Sequence, residues 1–221
     1  MRASLLACSV AFLCCSRDAA ESQTRAADLS WVPIYFPLFD SVAAAAGLGP
    51  LRGESRADPE LRLWHDRGLV PPHVLVRFRE VDGRVEGQLF LWWPLLPEDP
   101  VWSAHIDSEV KDQYRCTRIT DSLGIRACEV TDPAVGEWQI LRDRLERYQV
   151  ETLPDESQID PPDQRMIVDG QTLVVEVRRA GRSRVYHYYA PGTRSWPEAQ
   201  QARRIIVVLD ELLDGARKPD R

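Results

Sequence analysis

The residues best suited to chemistry stand in one short run, His105-Ile106-Asp107-Ser108-Glu109, where an imidazole and two carboxylates recur at every second position. In an extended strand this spacing puts all three on one face. Such a face could bind a divalent cation, or pair a histidine base with the carboxylate that orients it, as in a hydrolase or metal-dependent enzyme. The bland alternative is a solvated strand face. A second candidate is Val185-Tyr186-His187-Tyr188-Tyr189, in which Tyr186 and Tyr188 point one way and Val185, His187 and Tyr189 the other. With Arg182 and Arg184 beside them, two outward tyrosines could clamp a flat or anionic ligand such as a sugar or peptidoglycan fragment. Cross-strand ring pairing within a meander is the competing expectation. Trp92 and Trp93, consecutive on a strand, must place one ring on each sheet face, so Trp93 is a candidate contact if its face is open.

Other chemistry finds no footing in the sequence. There is no nucleophile elbow, no zinc-protease His pair, no phosphate-cradling glycine loop and no dinucleotide fingerprint. The expected site therefore includes no metal and no cofactor. A formal charge of −6 argues against a nucleic-acid partner. The basic run from Arg178 to Arg184 reads as a solvated turn in a chain whose only lysines are Lys111 and Lys218.

The N-terminus carries a different signal. Arg2 precedes an uncharged stretch from Ala3 to Ser16, and charge returns at Arg17 and Asp18. That is the layout of a secretory signal peptide, too short to cross a bilayer as a stable helix. Where the apolar run stops stands Phe12-Leu13-Cys14-Cys15-Ser16, which resembles the lipobox of bacterial lipoproteins. The resemblance implies that Cys15 becomes the acylated first residue of the mature chain, although Cys14 stands where that pattern has Gly, Ala or Ser. Cleavage after Ser16, giving a soluble secreted inhibitor or ligand-binding module, is the alternative. On this reading residues 1–15 are the signal, 16–30 a flexible tether, 31–215 one domain and 216–221 a polar tail. Two subdomains, 31–131 and 132–215, are an alternative division. The expected product is an exported, non-enzymatic interaction protein that touches the membrane only through its N-terminal lipid. Its expected partner is another envelope protein or a cell-wall component.

Cysteine usage points to the same compartment. Of five cysteines, Cys8 and Cys14 leave with the signal, Cys15 takes the lipid, and Cys116 and Cys128 remain for each other. They flank an Asp-Ser-Leu-Gly turn in a β-branched hairpin pattern, equidistant from Ser122, so a cross-strand disulfide is expected. Two thiols binding metal is the rival, without a nearby His or further Cys to complete a zinc set.

The elements that must position these groups read as α+β: antiparallel hairpins and a meander packed against two longer amphipathic helices, with one disulfide. Leu38 to Leu48 and Pro59 to Arg67 fit short helices, the second starting at Pro and stopped by Gly68. His73 to Glu80 and Val85 to Trp93 form a hairpin about Asp82-Gly83. Arg165 to Val168, Gln171 to Arg178 and Arg184 to Tyr189 form a three-armed meander. One long helix is capped by Asp132-Pro133 and carries Trp138, Leu141, Leu145 and Tyr148. The other opens on a Ser195 to Glu198 capping box and carries Ala202, Ile205, Ile206, Leu209, Leu212 and Leu213.

Overall fold

A computed structural model describes residues 32–49, 51, 59–130, 138–159 and 170–219. The expected α+β class holds: a seven-stranded antiparallel sheet with four helices and one disulfide. In chain order the elements are α1 (Val32–Ala45), β1 (Glu60–Asp66), β2 (His73–Val81), β3 (Arg84–Pro94), α2 (Pro100–Gln113), β4 (Cys116–Ser122), β5 (Ile125–Val130), α3 (Trp138–Glu146), β6 (Thr172–Arg179), β7 (Arg182–Tyr189) and α4 (Pro197–Gly215). The strand order is β4-β5-β3-β2-β1-β6-β7. The Asp132 cap and the Arg165 to Val168 arm lie outside the described residues.

The sheet is buried on two faces. On one, Leu63, Val76, Leu89, Trp93 and Val175 pack beneath α4, whose Ala202, Ile205, Ile206, Leu209, Leu212 and Leu213 are all buried, and beneath Leu141 and Leu145 of α3. On the other, Phe39, Val42 and Ala43 of α1 meet Trp64, Leu75, Phe90 and Trp92, with the Phe39 and Trp64 rings stacked at 4.6 Å. Trp92 and Trp93 do divide between the faces, and both are core.

Three expectations about elements need correction. Residues 60–66 are not a helix but β1, paired with β2 on one side and β6 on the other. Leu61, Leu63 and His65 alternate with Glu60, Arg62 and Trp64, and that period of two decides over the Pro and Gly that bracket the segment. The second correction is α2, which occupies the run expected to be a strand. Asp99 caps it, its carboxylate accepting from Trp102 N at 2.8 Å, and Pro100 takes the first helical position. At the start of α4 the N-cap residue is Trp196, with no side-chain cap, so the Ser195 capping box does not form.

The disulfide forms, with a different register from the one expected. The β4–β5 turn is centred on Leu123 and Gly124, both at positive φ, so Cys128 lies opposite Ile119 and Cys116 opposite Val130. A bulge between Cys116 and Arg118 brings the two Cα atoms to 5.4 Å, and the sulfurs are bonded.

Candidate functional site

Helical geometry separates the His105, Asp107 and Glu109 set. His105 and Glu109 are one turn apart, with Nε2 to Oε2 at 3.8 Å, and His105 is 73% exposed. Asp107, two residues along, lies on another side of the helix. Its carboxylate takes Lys111 Nζ at 2.5 Å and Arg126 Nη1 at 2.5 Å. Burial works to raise the Asp107 pKa, but hydrogen bonds from Lys111 and Arg126 hold it below the usual carboxylate value. A carboxylate held by two cations is a poor base. Among the described residues no group of three or more His, Cys, Asp or Glu is placed to hold a metal ion.

The tyrosine clamp exists, but it grips the protein's own chain. Tyr186 and Tyr188 share a face of β7 as the alternation requires, yet both are fully buried rather than outward. Tyr186 OH donates to Val150 O at 2.6 Å and Tyr188 OH to Pro154 O at 2.8 Å. Arg184, with its guanidinium 5.1 Å from the Tyr186 ring centre, donates to Glu151 O and Leu153 O. Burial pushes both phenols upward in pKa. Of the expected clamp only Arg182, at the turn, is exposed. Trp93 is shut inside the core beneath the α4 layer and presents no outer ring.

The same segment closes the β7 edge. An edge strand presents unpaired backbone groups to solvent. Here the His187 N–H donates to Asp155 Oδ2 at 2.9 Å and the Tyr189 N–H to Glu156 Oε2 at 2.5 Å. His187 Nδ1 also lies 2.9 Å from Asp155 Oδ2. Burial acts to raise the Asp155 pKa, but hydrogen bonds from His187 and Ser157 and the charge of His187 bring it to about 2. Ser157 Oγ donates to Asp155 at 2.5 Å, so the carboxylate stands between hydroxyl and imidazole. A nucleophilic triad needs the imidazole in that middle place. The cluster is built to fasten residues 155–157 onto β7.

Two polar centres were not expected from the sequence. Glu60, almost fully buried, takes Arg62 Nε at 2.7 Å, Arg77 Nε at 2.9 Å and Arg178 Nη2 at 3.2 Å. Reading residues 59–67 as a helix hid this centre, since only strand pairing brings Arg77 and Arg178 alongside. His65 is the second, enclosed between β1 and α4 with Asp210 Oδ1 3.6 Å from its Nδ1. Near Glu60 a cavity of about 300 Å³ opens beside α3, lined by Arg79, Arg142, Glu146, Glu151 and Arg179. Its arginines are engaged, Arg142 and Arg179 both pairing with Glu151.

No protein-family model, no curated protein and no solved structure matches the chain.

Proposed function

We propose that this chain is an exported protein, held at a cell envelope by a lipid on Cys15, whose domain works by binding another envelope component. The observation that carries the reading is the Cys116–Cys128 disulfide joining the start of β4 to β5. Disulfides form and persist in oxidising compartments, which is where the charge and apolar pattern of residues 1–18 would send the chain. Two further facts favour binding over catalysis. Asp107 projects from another side of α2 than His105 and Glu109, and the tyrosine face is filled by residues 150–154. Metabolic labelling with palmitate tests the anchor. Label should enter the wild-type chain and be lost in Cys15→Ala; label that survives the substitution removes Cys15 from the account.

A further inference from the structure

One end of the sheet carries apolar side chains that the fold does not use. Leu123 occupies the first central position of the β4–β5 turn at φ +50° and is 80% exposed. Asn, Asp and Gly are the favoured types at that position of a type I′ turn, and a γ-branched apolar residue there is strained. The corresponding residues of the β2–β3 and β6–β7 turns are Asp82 and Ala180, both at the opposite end of the sheet. Strain and exposure combined at Leu123 point to a task outside the fold.

Its surroundings combine leucines and prolines with the Asp107–Arg126–Asp121 ion-pair cluster, in which the charges are paired with one another. Leu95 N donates to Gly124 O at 2.6 Å, tying the turn to an open groove of about 320 Å³ walled by Leu95, Leu96, Pro97 and Pro100. At this same end β1 passes into β2 through a loop whose tip is Leu69, 77% exposed, and Val70, 58% exposed. Val70 reaches α2 across a smaller cavity of about 140 Å³ shared with Ile106 and Val110. The large side chains stand on separate tips, which suits shallow insertion into a soft apolar phase better than capture of a single protein helix.

We propose that this end of the domain dips into the interfacial layer of a lipid bilayer, with Leu123, Leu69 and Val70 as the inserting groups. The choice of occupant rests on the Cys15 reading. Sixteen residues separate Cys15 from Val32. A chain of that length spans at most about 56 Å, so an acylated Cys15 keeps the domain within reach of the membrane surface.

The test reads the depth of the tips rather than attachment of the chain. The full chain with Cys8 and Cys14 replaced by Ser carries a polarity-sensitive fluorophore at Leu123→Cys or, as the control, at Ala180→Cys. Each is bound to vesicles of phosphatidylethanolamine and phosphatidylglycerol containing a nitroxide lipid. The dye at 123 should shift to the blue and be quenched about threefold more strongly than the dye at 180. Equal, water-like emission at both positions on floating vesicles overturns the proposal, and so does a chain that does not float. Repeating the measurement with Cys15→Ala separates the two readings. A buried 123 dye on a chain that takes up no less palmitate than before refutes Cys15 as the anchor and leaves loop insertion standing. A wet 123 dye on a chain acylated at Cys15 refutes loop insertion and leaves the anchor standing.

Discussion

At His65 a single buried side chain contributes to how the protein responds to acid. Its ring is closed off from solvent, with Asp210 Oδ1 3.6 Å from Nδ1. Burial first, and then the Arg67 charge, lowers its pKa from 6.5 to about 4. The unfolded chain therefore takes up this proton before the folded one does. The stability involved is complete above about pH 6.5 and is lost as pH falls toward 4, roughly 3 kcal/mol in all. Denaturant titrations between pH 7 and pH 4 should show that slope in wild type and a flatter one in His65→Leu; equal slopes would contradict the assignment. Asp155 acts in a lower window. Its pKa of about 2 means that its contribution is present above the ordinary value of 3.8 and disappears as pH drops through 2. The clamp gives a second expectation at this scale. Tyr186→Phe leaves Val150 O buried without its donor and should cost about 1–2 kcal/mol in a urea melt. A change near zero would mean that the hydroxyl does not hold the segment.

Among the elements, β3 and α3 meet through an absent side chain. A Cβ on Gly87 would lie 2.0 Å from the Trp138 ring, which sits edge-on to Phe78 at 5.8 Å. Gly87→Ala should therefore cost about 2 kcal/mol, and most of that cost should vanish when Trp138→Ala is already present. Additive losses in the double-mutant cycle would contradict the close approach. The β4–β5 turn should behave in the opposite way. Leu123→Asn suits the left-handed conformation and should raise stability by about 1 kcal/mol in a thermal melt, whereas a loss would mean that Leu123 is packed.

Hairpins were the most legible elements, because Asp82-Gly83 and Ala180-Gly181 announce their turns locally and the arms alternate around them. α2 was misread although Asp99-Pro100 is the same cap signal as Asp132-Pro133. The alternation of His105, Asp107 and Glu109 imitates a strand when the residues between them are small or apolar. β1 was misread because Glu60 and Arg62 resemble a solvated helix face, and their burial is tolerable only beside Arg77 and Arg178, which lie far away in sequence. The candidate site suffered for a related reason. Alternation correctly grouped Tyr186 with Tyr188, but which face looks outward depends on residues 150–156, which pack there from elsewhere in the chain.

For the whole molecule, the disulfide-bearing domain is what supports the proposal that residues 1–15 direct export. The bond spans 12 residues, and opening it should cost about 3 kcal/mol by the loop-entropy estimate. A Cys116→Ser, Cys128→Ser chain that melts with wild type would show the bond to be dispensable. The joined claim, export with acylation at Cys15, is tested most directly by the intact mass of the chain recovered from the membrane fraction of the cells that make it. The predicted mass is that of a polypeptide beginning at Cys15, plus acyl groups on that residue, with Cys116 and Cys128 lacking two hydrogens. A chain that keeps residues 1–14, carries no lipid and has free thiols at both positions would contradict it.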